Sequence, residues 1–309
     1  MEVPNLNDVL NQAIQKAKPN LSKGKLADYI PELTKSNPEN IGICMVDLEK
    51  NIYEAGDSNV KFTIQSVSKP IMLALALLEH DEEKIFSKVG KEPSGDPFNS
   101  YMKLEIVKPS KPYNPFINAG AIAIASIIKG ENLQQKEDKI LDFFRKMACN
   151  PDISINDSVF KSEKETGHRN RAIGHILKNE GIIEGDVEET LDLYFKQCSI
   201  EVTVKDLALM GLCLAQNGIN YNGERIIDEK TSKIVKAFMF TCGMYDESGE
   251  YAINVGIPSK SGVGGGIMAS VPFKYGIGTY SPSLDCKGNS IGGLDMLKFI
   301  SEELNLSIL

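Results

Sequence analysis

The 309-residue chain reads as an α+β protein, an α/β sandwich. One mainly antiparallel sheet is built from both chain ends, and an all-helical lobe is inserted between them. Three observations predict this class. Short strand-like apolar runs fall toward the two ends of the sequence. The middle is dominated by apolar residues at helical spacing. Amphipathic segments stand at both termini and need a sheet face to cover. The sheet-bearing lobe takes about residues 1–68 and 245–309, the helical lobe about 69–244, within one catalytic domain. Clefts favour such lobe boundaries.

The elements follow in order. Leu6, Val9, Leu10, Ala13, Ile14 and Ala17 make one stripe, so the spacing predicts a helix over 6–17. Residues 41–48 and 51–54 read as two short strands around a charged turn. A third apolar run, 62–64, leads to Ser66 and an apolar helix over 70–79 with Pro70 in its first turn, where a missing N–H costs nothing. Helices are predicted at 117–129, 136–147, 163–178, 187–197 and 229–240. Thr203 and Asp206 form a capping-box pattern before a helix over 207–214. From Tyr251 the period changes. Residues 251–255, 266–271 and 275–280 read as strands, and 291–304 as a closing helix. The Gly/Ser/Pro-rich stretches 91–100 and 258–266 are loops, which often carry function.

Composition excludes several classes. Apolar residues at 42% and charged residues at 25% are ordinary for a folded globular chain. A net charge of −8 repels phosphate backbones, which argues against nucleic acid as a partner. The longest apolar stretch, 70–78, falls far short of the roughly 20 residues of a membrane span. No basic region followed by an apolar run marks the N-terminus, so no secretory signal is expected. Six cysteines are scattered without a close pair, which fits a reducing cytoplasm.

The sharpest chemical feature is Ser66-Val67-Ser68-Lys69 at a predicted strand-to-helix junction. Residues three apart share a helix face, so Lys69 is placed to serve as base for a Ser66 nucleophile. The helix start also offers N–H groups to an oxyanion. Alone, the pattern is equally a helix start with a snorkelling lysine. Its partner is Lys260-Ser261-Gly262-Val263-Gly264-Gly265-Gly266. A K-[ST]-G sequence on a strand accompanies S-x-x-K in serine acyl-transfer enzymes. The glycines are expected to let substrate approach the backbone, and Lys260 to disfavour the charged form of Lys69. Both motifs in this order favour catalysis over a flexible turn.

Three further sets support them. Glu163 and Asn170 lie about two turns apart on one predicted helix face, a carboxylate for an ammonium and an amide for a carboxylate. Asn118 opens an apolar helix, where asparagine is often only a cap. Tyr245, in Thr241-Cys242-Gly243-Met244-Tyr245, is a candidate proton donor, although most tyrosines are core residues. Three histidines with no HExxH or CxxC give metal chemistry no support. These residues alone leave open serine acyl transfer of the penicillin-recognising type or amino-acid binding without turnover.

Taken together, the segments resemble the serine-dependent glutaminase family of bacterial type. The resemblance runs through A-D-Y-I-P-E-L at 27–33, F-T-I-Q-S-V-S-K at 62–69, V-G-K-E-P-S-G-D-P-F-N at 89–99 and N-P-F-I-N-A-G-A-I at 114–122. It continues through Ser162-Glu163, Arg169-Asn170, Y-F-K-Q-C-S at 194–199, T-C-G-M-Y at 241–245 and K-S-G-V-G-G-G-I at 260–267. It implies a β-lactamase/transpeptidase-like fold and hydrolysis of L-glutamine to L-glutamate and ammonia, without metal or organic cofactor. It implies Ser66 as nucleophile, Lys69 as base and Tyr245 for proton transfer to ammonia. The Ser66 and Val263 N–H groups are implied as the oxyanion hole. Tyr29, Asn118, Glu163, Asn170 and Tyr194 are implied to hold substrate, with Gln65 lining the pocket and Lys260 tuning the charge. A homo-oligomer, dimer or tetramer, is also implied. The loop 91–103 is expected to gate the pocket and to lie near a subunit contact.

Overall fold

The computed structural model describes residues 5–100, 102, 104 and 110–309. Asn5 caps α1 (Leu6–Ala17) by accepting from the Asn7 N–H at 3.1 Å. The hairpin β1 (Gly42–Asp47) and β2 (Ile52–Gly56) follows, then β3 (Phe62–Thr63). Helices α2 (Ser68–Glu79), α3 (Glu82–Lys88), α4 (Asn118–Ala125), α5 (Leu133–Ala148), α6 (Asp157–Thr166), α7 (His168–Asn179) and α8 (Val187–Cys198) come next. Strand β4 (Glu201–Val202) leads to α9 (Val204–Ala215), α10 (Glu229–Cys242) and α11 (Ser248–Asn254). The chain closes with β5 (Ser259–Ser261), β6 (Gly266–Val271), β7 (Tyr275–Tyr280) and α12 (Ile291–Leu304). Among the described residues, no helix is long and apolar enough to cross a membrane.

The five-stranded sheet has the order β2-β1-β7-β6-β5, with every pair antiparallel. The first and last parts of the chain meet where β1 pairs with β7, Cys44 opposite Gly278. Alternation then sorts the side chains onto two faces. Ile43, Met45, Ile267, Ala269 and Ile277 pack against α1 and α12. Cys44, Val46 and Met268 face the other way and join the core of the helical lobe. Helix α9 lies across that second face. Its start is fixed by the predicted capping box: Asp206 N–H donates to Thr203 Oγ1, and Thr203 N–H to Asp206 Oδ2 at 2.8 Å. The antiparallel sheet from both ends and the inserted helices are thus as the sequence predicts.

Several elements differ from the sequence expectation. Residues 251–255 are not a strand: helix α11 covers most of them. Their β-branched and aromatic letters mislead because packing decides. The helix buries Tyr251, whose hydroxyl meets Ser259 Oγ at 2.7 Å, and leaves Ile253 in solvent. The run at 62–64 does not join the main sheet: β3 pairs with β4 in a separate two-stranded sheet. Within the predicted loop 258–266, β5 forms the edge of the main sheet. The predicted helix 163–178 is two helices, α6 and α7, broken at Gly167. A Cβ there would lie 2.5 Å from Phe195 Cζ and 2.7 Å from Glu163 O, so only glycine fits. The helix predicted over 117–129 ends at Ala125.

Candidate active site

The site begins at the turn before α2. Residues Gln65–Val67 form one 3-10 turn that runs directly into the helix. Gln65 has φ +49°, in the left-handed region that a side chain disfavours. Such strain persists only where neighbours hold it. Here Ser68 Oγ donates to Gln65 O at 2.7 Å, and Gln197 Nε2 donates to Ser68 Oγ at 3.4 Å. The glycine segment is pressed against this turn. A Cβ on Gly264 would stand 2.4 Å from Thr63 O, so backbone meets backbone at that glycine. Ser66, itself buried, thereby lines a pocket between the sheet and the helices.

Lys69 sits one turn on, with 1% of its surface exposed. Its Nζ donates to Phe116 O at 3.0 Å and to Asn118 Oδ1 at 2.8 Å. Burial lowers its pKa to about 8, against the pull of Cys198 and Glu163. A neutral amine has two N–H bonds and one lone pair. Both N–H bonds are then used, and the lone pair is left over. Asn118 is the first residue of α4, and its side chain does not cap the helix. It bridges Lys69 to Asn170 instead, its Nδ2 donating to Asn170 Oδ1 at 3.1 Å.

Glu163 and Asn170 reach the same pocket from two helices rather than from one face of a single helix. Burial raises the Glu163 pKa to about 7, and Gln65 and Lys69 offset part of that rise. Its Oε1 is buried without a hydrogen-bond partner among the described residues. An unsatisfied buried carboxylate oxygen costs energy that an incoming cation would recover.

Tyr245 lies on the far side of Ser66. Its φ of +55° is again left-handed. Its ring is held between Phe98, 4.7 Å away between centroids, and Lys260 Nζ, 4.5 Å above the ring centre. The hydroxyl is buried and makes no hydrogen bond among the described residues. Burial pushes its pKa up, and the nearby Ser66 hydroxyl and Val263 N–H offset part of that. Lys260 is fully buried and donates to Ser261 O at 2.6 Å. Burial and the Lys69 charge hold its pKa well below the ordinary range.

Tyr29, Gln65, Ser66, Asn118, Glu163, Asn170, Tyr194 and Val263 all line this one pocket. Lys69, Tyr245 and Lys260 lie outside the lining: Lys69 bonds Asn118 in the wall, Tyr245 lies near Ser66, and Lys260 sits over the Tyr245 ring. Burial pushes the Tyr194 hydroxyl well above the ordinary range, and the Tyr29 hydroxyl, on a half-exposed side chain, is pushed the same way, so both remain donors. Sequence reasoning gave no role to Phe98, Asn99, Thr166 or Cys198, which also line the pocket. Phe98 and Asn99 fall within the loop expected to gate the pocket; Tyr101 and Lys103 of that loop lie outside the described residues. Cys198 stands one helical turn beyond Tyr194 on α8, a spacing that a search of that helix face would have found. Its thiol pKa is pushed up by burial, so it is no candidate nucleophile.

The split sheet, the inserted helices and the pocket at their seam define a hydrolase of the β-lactamase-like α+β fold. Residues 24–309 match the family model for glutaminase. The chain belongs to the glutaminase family, amidohydrolases that act on glutamine. A glutaminase from Clostridioides difficile (strain 630) is 56% identical over 301 residues, covering 97% of each chain. A probable glutaminase from Bacillus subtilis, complexed with 6-diazo-5-oxo-L-norleucine, superposes with a TM-score of 0.91 at 40% identity, over 100% of this chain and 99% of that one. A covalent complex of a Bacillus subtilis glutaminase with 5-oxo-L-norleucine superposes with a TM-score of 0.89 at 38% identity, over 99% of this chain and 100% of that one.

Proposed function

We propose that this chain hydrolyses L-glutamine to L-glutamate and ammonia through a γ-glutamyl ester on Ser66. One observation carries the reading. Glu163 in the pocket wall has an unpartnered carboxylate oxygen, and Tyr245, outside the lining but against Ser66, has a hydroxyl without a partner among the described residues. A free amino acid with a reactive side-chain amide satisfies both. Its α-ammonium pairs with Glu163, and its α-carboxylate takes N–H donors from Asn118 and Asn170 and hydroxyls from Tyr29 and Tyr194. That anchoring sets the amide carbon against Ser66.

The chemistry follows from the proton positions. Lys69, its two N–H bonds engaged, accepts the Ser66 proton through its lone pair. Ser66 Oγ attacks the side-chain carbonyl, and the oxyanion is held by the Ser66 and Val263 N–H groups. Tyr245, kept protonated by burial, delivers a proton to the departing ammonia. Lys260, against the Tyr245 ring, tunes the local charge. Water then cleaves the ester. The covalent complex of the Bacillus subtilis relative with 5-oxo-L-norleucine supports the reading, since the C5 ketone of that group corresponds chemically to glutamine's side-chain carbonyl. Asparagine, one methylene shorter, holds its amide short of Ser66. Binding alone separates the two by only about 1–3 kcal/mol, so misplacement of the reacting carbon supplies the rest.

The six free cysteines support a cytoplasmic setting. The family resemblance supports a homo-oligomer, dimer or tetramer, which light scattering on the purified protein tests. The reaction itself is tested by ammonia release from L-glutamine with L-asparagine as control. No release by folded protein would refute the proposal.

A further inference from the structure

The reaction pocket has a neighbour. A second cavity of about 400 Å³ opens beside it and shares Tyr29, Phe98, Asn99 and Val263 as walls. Asn118, Glu163, Asn170 and Tyr194, which are assigned to the substrate's α-groups, line the inner pocket only. Of the shared walls, Tyr29 also serves the α-carboxylate, whereas Phe98 and Val263 stand at the reacting end. Phe98 packs on the Tyr245 ring, and the Val263 N–H lies near the Tyr245 hydroxyl. Gly288 lines the outer cavity only, and a Cβ there would stand 3.4 Å from Val263 Cγ1 and 3.6 Å from Tyr245 Cε2. The outer cavity therefore begins where the amide nitrogen departs. Ammonia uses almost none of its volume, which falls in the range of small-molecule sites, about 300–1,000 Å³. Its walls are mixed in charge, with Lys25, Lys287, Asp28, Asp246 and Asp285, and so suit a polar occupant.

We propose that the outer cavity is a leaving-group subsite, and that the enzyme hydrolyses N-substituted γ-glutamyl amides, γ-glutamyl dipeptides included, as well as glutamine. The inference rests on the roles given above to Ser66 and Tyr245. Ser66 Oγ forms an ester bond to the γ-carbon as the carbon–nitrogen bond breaks. The serine proton reaches the leaving nitrogen by way of Lys69 and Tyr245, and a neutral amine departs into the outer cavity. Water then cleaves the ester to glutamate, and no other reactant is needed.

The test supplies the purified enzyme with L-glutamine or with γ-L-glutamylglycine, reading ammonia from the first and free glycine from the second. Both are repeated with Cys286→Trp, which fills the outer cavity from an exposed wall position outside the inner pocket. Glycine release is expected. The variant should lower kcat/KM for the dipeptide about tenfold or more and leave glutamine within about threefold. Ammonia without glycine would overturn the inference and leave the glutaminase reading standing. Equal losses on both substrates in the variant would overturn it too, since the cavity would then be a shared entrance. Release from neither substrate would overturn both readings.

Discussion

Lys69 Nζ donates 2.8 Å to Asn118 Oδ1, and that single bond ties the proposed base to the residues that hold substrate. Asn118 passes the constraint to Asn170 at 3.1 Å. Base and carboxylate anchor are thus positioned as one unit. Asn118→Ala should therefore lower kcat as well as raise KM. A rise in KM alone, with kcat unchanged, would show that Asn118 is only an anchor.

The pH profile should have a steep acid limb. Lys69, lowered to about 8, accepts a proton only when neutral, so its active form grows as pH rises toward that value. Glu163, raised to about 7, pairs with an ammonium only when ionised, so its active form also grows with pH. Both signs agree, and kcat/KM should climb from acid pH into the mildly alkaline range. The slope of log kcat/KM should approach about two, and drop to about one in Glu163→Gln. A profile that is flat across neutrality would contradict both assignments.

Glu163→Gln should also cost about 2–4 kcal/mol in kcat/KM at alkaline pH, because the α-ammonium is left buried without its counter-charge. Isothermal titration of glutamate into the Ser66→Ala background measures the same loss without turnover. Unchanged affinity would place the ammonium elsewhere.

Tyr245→Phe keeps the ring between Phe98 and Lys260 and removes only the hydroxyl. The expected result is a kcat lower by about a hundredfold or more, with KM within a few-fold. Stopped-flow capture of 6-diazo-5-oxo-L-norleucine gives a second readout. A variant with ordinary kcat would remove Tyr245 from proton transfer.

Thr203→Ala tests the fold rather than the site. It removes the capping box of α9, the helix that lies across the sheet, and should destabilise the protein by about 1 kcal/mol in urea denaturation with activity intact. An unchanged midpoint would show that packing alone fixes that helix start.

The sequence exposed more of the site than of its connections. Strands β1, β6 and β7 were legible as short apolar runs bounded by turns, and the terminal helices by an apolar stripe and an N-cap side chain. Glu163 and Asn170 were legible as a pair, but their geometry was not. The helix break at Gly167 exists because Phe195, far along the chain, leaves no room for a side chain. Residues 251–255 carry β-forming letters, yet the contact between Tyr251 and Ser259 and the burial of one face make them helical. Phe98 and Cys198 reach the pocket through loop path and helix phase, which no local motif records. Local patterns thus specified the chemistry-bearing segments, and long-range packing specified how they meet.

The most direct test of the central claim is ammonia release from L-glutamine by the purified protein and by Ser66→Ala, with circular dichroism to confirm that the variant is folded. The account predicts release by the parent protein and a loss of at least about a thousandfold in the variant, with glutamine still bound. A folded Ser66→Ala protein that released ammonia at a comparable rate would contradict it.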